Sequence, residues 1–145
     1  HSCVHRSSRE QVPGGARAGS YRFDIDWQQE FPPHEASVPE ARQLVAAFLA
    51  SSRYFGDTDT VLLLVSELVT NAVRHAGTPF ELSVQVRGHR VTVSVVDHDR
   101  AHQPRLRHPA ALDTSGRGLH LVQQLSASWG TELVSRDAKR VWFRC

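Results

Sequence analysis

The sequence predicts an α+β fold, a two-layer sandwich with three helices on one face of a mixed, mostly antiparallel sheet. Apolar residues recur at helical spacing in three segments, and five further segments are predicted to be strands, three of which alternate apolar and polar residues. These segments follow one another in the order β-α-α-β-β-α-β-β. A strand that alternates in this way has one face for a core and one for water. Helices are therefore expected on only one side of the sheet.

Size and composition set the broad class. The chain has 145 residues, which suits one domain, and its 40% apolar and 22% charged content is that of a globular protein. Its longest apolar run, Val61 to Val65, is far below the roughly 20 residues that cross a bilayer, and no leader peptide opens the chain. A net charge of +2 without a long basic run argues against nucleic-acid binding. We therefore expect a cytoplasmic protein without direct membrane or nucleic-acid contacts.

The N-terminal region divides into a tail and a first strand. Residues 1–20 contain few large apolar side chains, so we expect a flexible tail and a folded domain over residues 21–145. Tyr21 to Phe31 then alternates apolar and polar residues, which is typical of a half-buried strand.

Two amphipathic helices are predicted next. Ser37 to Glu40 matches a capping box, in which the serine accepts from a backbone N–H and the glutamate reaches back. This box predicts the start of a first helix that covers Pro39 to about Ser52. A second helix is predicted from about Thr58 to Ala76, with Gly77 as its C-terminal cap.

A hairpin and a long loop follow the second helix. Glu81 to Arg87 and Val91 to Asp97 alternate apolar and polar residues and are joined by Gly88-His89. The loop from His98 to Asp113 has no clean period and carries three histidines and three arginines. The histidines lack zinc-site spacing, and the arginines either close over a ligand as a lid or only keep the loop soluble.

A third helix and a final hairpin complete the predicted fold. The helix follows the glycines around Arg117 and is expected to end at Trp129-Gly130. Thr131 to Val134 and Val141 to Phe143 are then predicted to pair, with the turn at Asp137-Ala138.

One stripe of the second helix carries the first candidate chemistry. Glu67, Asn71 and His75 are spaced four residues apart, so they share one side of the helix. Such a stripe is often only a solvated face, but the flanking residues here are almost wholly apolar, which favours a cavity. An Asn amide oxygen suits Mg²⁺ when phosphates supply the other ligands, and a Glu one turn away can act as a general base.

The turn before the third helix is the second candidate. Gly116 and Gly118 flank Arg117 at the start of the helix, where backbone N–H groups can approach an anion and the helix dipole favours negative charge. Phosphate binding is one interpretation of this turn. A plain glycine-rich helix cap is the other.

Together these two segments resemble a known family. SELVTNAVRHAG, residues 66–77, resembles the N box of the histidine-kinase-like (GHKL) ATPases, and TSGRGLHLV, residues 114–122, resembles their second glycine box. The stretch from about Phe31 to Phe143 is similar to the branch of anti-sigma-factor serine/threonine kinases. The resemblance implies a kinase that uses ATP and Mg²⁺, phosphorylates an antagonist protein and binds a sigma factor, and it allows a homodimer.

The resemblance also assigns roles to residues. Glu67 matches the catalytic glutamate, Asn71 the Mg²⁺ ligand, and Asp97 the carboxylate that accepts the amino group of adenine. Arg74 and His75 are secondary candidates that either face the same cleft or cap the helix. The phosphate-binding turn corresponds to Gly116, Arg117, Gly118 and Leu119.

Two departures from the family pattern keep an alternative open. Asp97 to Ala101 contains none of the glycines of the family's first glycine box, and Arg140 stands before Val141 where the family often has a threonine. The departures imply a differently built adenine pocket. The alternative function is a non-catalytic partner-binding module with a degenerate ATP site. The catalytic domain of a split histidine kinase is disfavoured, since no helical hairpin with a phosphoacceptor histidine is visible.

Overall fold

The computed structural model describes residues 25–75, 77–98 and 117–145. Its helices and strands follow one another in the predicted order. They are β1 (Trp27–Phe31), α1 (Ser37–Ser51), α2 (Thr58–His75), β2 (Phe80–Arg87), β3 (Arg90–Asp97), α3 (Arg117–Leu125), β4 (Ser128–Ser135) and β5 (Ala138–Arg144). The predicted tail, residues 1–20, and most of the loop from His98 to Asp113 lie outside the described residues.

The five described strands form one sheet in the order β1-β2-β3-β5-β4, and every neighbouring pair is antiparallel. The predicted α+β sandwich is confirmed, and within the described residues the sheet is fully antiparallel rather than mixed. Alternate residues of β2, from Phe80 to Val84, enter the same buried cluster as Leu64 and Leu68 of α2. Helix α2 packs on β3 and lies between α1 and α3.

The start of α1 differs from the predicted capping box. The helix begins at Ser37, and its N-cap residue, Ala36, makes no side-chain cap hydrogen bond. The Ser37 hydroxyl instead donates to the carbonyl oxygen of Pro32 at 2.8 Å. A capping residue needs a non-helical backbone, whereas Ala36 already has φ −65° and ψ −17°. The prediction of a capping box is therefore wrong, although the predicted helix is present.

Helix α2 agrees closely with its prediction. It begins at Thr58 and ends at His75, one residue before the predicted Ala76, which is not described. Gly77 has φ +67°, as expected for a glycine just beyond a helix C-terminus. Across the described residues, no helix has the length and apolar character needed to span a membrane.

The hairpins differ from the predictions mainly at their ends. Gly88-His89 is the two-residue turn between β2 and β3, as predicted, and Gly88 has φ +68°. Strand β1 begins at Trp27, after Ile25 and Asp26, and the predicted start at Tyr21 lies outside the described residues. The side chain of Asp26, just before it, accepts a hydrogen bond from the N–H of Val86 at 2.8 Å.

The end of α3 was predicted too late. The helix ends at Leu125, and Trp129 and Gly130 belong to β4. The N–H of Ala127 already donates to the carbonyl of Arg144 in the sheet at 2.9 Å, so the chain has left the helix by this point. The final turn is at residues 136–137, one residue earlier than predicted, because Ser135 pairs with Ala138.

Candidate functional site

The predicted polar stripe lies on the side of α2 that is turned away from α1. Glu67 and Asn71 are one turn apart, and both side chains are partly buried. Asn71 is nine residues, about two and a half helical turns, beyond Leu62 and therefore points to the opposite side. Leu62 belongs to the α1 side, where it lines a groove with residues of α1. Glu67 and Asn71 are thus placed toward α3.

That groove is separate from the polar stripe. It is an open depression of about 240 Å³ between α1 and α2. Its lining residues are Pro39, Arg42, Gln43, Ala46 and Leu62. None of them was a sequence candidate.

The two secondary candidates follow at the end of α2. The side chain of Arg74 is exposed to solvent. His75 is the last helical residue, and its side chain is not described. Their assignment to the cleft stays a prediction.

Asp97 occupies the last position of β3 and is only 3% exposed. It follows Val93 and Val95 in the strand alternation, so its side chain is on the helix-covered face of the sheet. On β2 its partner in register is Phe80, whose ring stacks on Phe31 with centroids 5.6 Å apart. The structure thus places a buried carboxylate beside aromatic rings at one end of the sheet.

Lys139 is the residue that the sequence reasoning missed. It is the register partner of Asp97 on β5, and its ammonium nitrogen lies 4.0 Å from a carboxylate oxygen of Asp97. Its exposed fraction is 8%. A buried charge is costly without an opposite charge nearby, so each of the two groups lowers the cost of burying the other.

Arg140, which stands where the family often has a threonine, does not face Asp97. It projects from the opposite face of the sheet and pairs with Glu132 at 2.9 Å. The sequence does contain a signal that places Lys139 on the buried face of β5. The core residues Val141 and Phe143 define the buried face of β5, and their two-residue period extends back to Lys139.

A buried hydroxyl near this end of the sheet provides a test of fit for a ligand. The Oγ1 atom of Thr78 is buried and has no hydrogen-bond partner within the described part of the chain. Thr78 comes two residues before Phe80, the residue that pairs with Asp97. Because buried polar groups are normally hydrogen-bonded, a polar ligand bound at this end of the sheet would fit this hydroxyl.

The N-terminus of α3 contributes backbone donors. The helix begins at Arg117, so Gly118 and Leu119 are in its first turn, and no acidic residue shares that turn. Val122 is fully buried and anchors the helix in the core. The first N–H groups of a helix have no partner within the helix and attract anions. Gly116 lies outside the described residues, as do the side chains of Arg117 and Leu119.

The described helices and strands therefore supply three kinds of binding group. The end of β3 supplies a buried hydrogen-bond acceptor, α2 supplies a carboxylate and an amide, and α3 supplies backbone donors for an anion. This combination can hold a ligand that has both a hydrogen-bonding ring and an anionic group.

Comparison with known proteins adds one result. The model of the histidine kinase-like ATPase domain family matches residues 31–144. This match includes α1, α2 and α3 and all the site candidates from Glu67 to Leu119. No curated protein matches the chain.

Proposed function

The chain belongs to the family of histidine-kinase-like ATPase domains, and on that premise we propose that it is a serine/threonine protein kinase. It binds ATP with Mg²⁺ and transfers the γ-phosphate to an antagonist protein, as do the anti-sigma-factor kinases that it resembles. By the same resemblance, it also binds a sigma factor. The family match supports the ATP-binding part of this proposal, and the resemblance of the motifs supports the choice of protein partners.

The observation that carries the proposal is the pair of polar side chains on α2. Glu67 and Asn71 are one turn apart and partly buried on a helix whose other inward residues are apolar. Polar side chains that are partly withdrawn from water are most favourable where hydrogen-bonding or metal partners compensate them. A magnesium phosphate group would provide them.

The main candidate residues have separate roles in this proposal. Asp97 accepts the amino group of adenine, Asn71 is a ligand of Mg²⁺, and Glu67 is the base that takes the proton from the attacking hydroxyl. The first turn of α3, with Gly116 before it, binds phosphate oxygens through backbone N–H groups. Bound Mg²⁺ would neutralise phosphate charge as it develops during transfer.

Calorimetric titration tests the nucleotide site. We expect ATP to bind the unchanged protein in a magnesium-dependent way and the Asn71→Ala variant to lose that dependence. Ser66→Ala is the matched control, because Ser66 is a partly buried polar residue of α2 that is neither three nor four residues from Glu67, Asn71 or His75. The Ser66 hydroxyl donates to the carbonyl oxygen of Leu62. Equal magnesium dependence in all three proteins would remove Asn71 from the proposal.

A phosphotransfer assay tests the kinase activity. Incubation with ATP, Mg²⁺ and candidate antagonist proteins should yield phosphoserine or phosphothreonine on one of them. Transfer that survives both Glu67→Ala and Asn71→Ala would contradict the mechanism.

A second candidate function has its own support. The stretch from Asp97 to Ala101 lacks glycine, and Lys139 lies beside Asp97 in the adenine position. These features would fit a non-catalytic partner-binding module whose ATP site is degenerate. If the unchanged protein fails to bind ATP even at millimolar concentration, this second function is the better one.

A further inference from the structure

We propose that Lys139 is a specificity-determining residue of the nucleotide site, where its ammonium group donates a hydrogen bond to ring nitrogen N1 of adenine. This inference rests on the proposed function, because it takes Asp97 to hold the neighbouring amino group of the same base. It assigns a base contact to a residue outside the motifs that the family resemblance covers.

The geometry places the two charged groups as a pair. Asp97 and Lys139 are register partners on adjacent antiparallel strands, and both face the helix layer. Side chains at such directly opposed positions are close neighbours. A base that contacts the carboxylate of Asp97 would therefore lie close to the ammonium group of Lys139.

The distance between the two groups is that of an ion pair rather than of a short hydrogen bond. A gap of 4.0 Å between the ammonium nitrogen and the carboxylate oxygen is an ion pair, but it is longer than the roughly 2.7–2.9 Å of a charge-assisted hydrogen bond. An ammonium group carries three N–H donors, and a carboxylate has several acceptor sites. One interaction therefore does not exhaust the hydrogen-bonding capacity of either group.

The edge of adenine matches this pair. It presents an amino donor next to the ring acceptor N1, and the protein presents an acceptor, Asp97, next to a donor, Lys139. Within the described residues, the same end of the sheet also holds the unpartnered buried hydroxyl of Thr78. Burial of both charged residues, 3% and 8% exposed, limits competition from water for these contacts.

An ATP analogue that lacks only the ring acceptor tests the inference. In 1-deaza-ATP, N1 is replaced by C–H while the amino group is kept. We expect the unchanged protein to bind this analogue at least about tenfold more weakly than ATP, the usual size of a lost hydrogen bond to a charged group. Kd values measured by titration calorimetry give the ratio directly.

Substitution then assigns the effect to Lys139. In Lys139→Met, which keeps the apolar stem and removes the donors, the ratio of the two Kd values should fall to about one. Arg140→Met is the matched control, since Arg140 is the next residue on β5 and pairs with Glu132 on the other face. It should keep the ratio of the unchanged protein.

The possible contrary results are distinct. Equal binding of ATP and 1-deaza-ATP by the unchanged protein would overturn the inference and leave the proposed function intact, whether or not any variant folds. Tighter ATP binding by Lys139→Met would also overturn it, because the lysine would then be masking Asp97. Failure of the unchanged protein to bind ATP would overturn the proposed function together with this inference.

Discussion

Asp57 caps α2 by accepting two hydrogen bonds from Thr60, one from the backbone N–H at 3.1 Å and one from the hydroxyl at 2.8 Å. Asp57 directly precedes the helix, and Thr60 is its third residue, which is the standard arrangement of an N-cap. The cap fixes the start of the helix that carries Glu67 and Asn71. The stability of the candidate site therefore depends on a residue outside it.

Removal of this cap should destabilise the domain. We expect Asp57→Ala to lower the free energy of unfolding by about 1 kcal/mol, within the 0.5–2 kcal/mol usual for N-cap loss. Urea denaturation followed by circular dichroism measures the change. Asp59→Ala is the control, since Asp59 is an exposed acidic residue of the same helical turn and makes no cap. An equal loss in both variants would mean that only charge near the helix N-terminus matters.

The same carboxylate should make stability depend on pH. Burial alone would raise the pKa of Asp57, but the hydrogen bonds from the Thr60 hydroxyl and N–H outweigh it and hold the pKa below the ordinary value. A lowered folded pKa stabilises the folded state above the unfolded pKa of about 3.9, and this contribution is lost as pH falls through the folded pKa. Asp57→Asn keeps a capping oxygen that does not titrate. We therefore expect the free energy of unfolding of the unchanged protein to fall relative to that of Asp57→Asn below about pH 4. Urea titrations at a series of pH values measure both.

Sequence periodicity predicted the elements that are fixed by local patterns. The limits of α2 were correct to within one residue, because Gly77 ends the helix through its own backbone conformation. The turn at Gly88-His89 was correct for a similar reason. In contrast, the capping box at Ser37 was wrong because the preceding turn is already helical at Ala36, which the sequence motif does not encode.

The periodicity of β5 predicts the face on which Lys139 lies, but local patterns could not predict the pairing of Lys139 with Asp97. This pairing depends on the register between β3 and β5, and these strands are separated by α3 and β4 along the chain. A shift of one residue moves every side chain to the other face of a sheet. The threonine position of the family falls on Arg140 in the sequence, whereas the register places Lys139 opposite Asp97. In contrast, the helical period alone predicted that Glu67 and Asn71 share one side of α2.

The proposed base should affect chemistry but not nucleotide binding. We expect Glu67→Gln to bind ATP with Mg²⁺ within about threefold of the unchanged protein and to lose at least about a hundredfold in the rate of phosphotransfer, because general-base catalysis contributes roughly 10²–10⁴. Calorimetry and radiolabelled ATP give the two measurements. Glu81→Gln, a partly buried glutamate on β2, is the control and should keep both. A normal transfer rate in Glu67→Gln would exclude the proposed role.

A close contact on the other face of the sheet allows a test of packing. Gly130 of β4 is the register partner of Trp142 on β5, and a Cβ at Gly130 would lie 3.0 Å from three atoms of the indole ring. Trp142 is only 2% exposed, so its ring has little room to move. The absence of a side chain at position 130 therefore matters for this contact.

We expect Gly130→Ala to lower stability, because overpacking of about 1–3 kcal/mol exceeds the roughly 0.5–1 kcal/mol gained by replacing a glycine inside a strand. Thermal unfolding followed by circular dichroism gives the change in Tm.

Ser128→Ala is the control on the same strand and face, and the buried hydroxyl of Ser128 has no hydrogen-bond partner within the described residues. Loss of this hydroxyl should leave the stability of the fold unchanged or raise it slightly, since an unsatisfied polar group is removed. A Gly130→Ala variant as stable as the unchanged protein would show that the indole ring can shift to admit a methyl group.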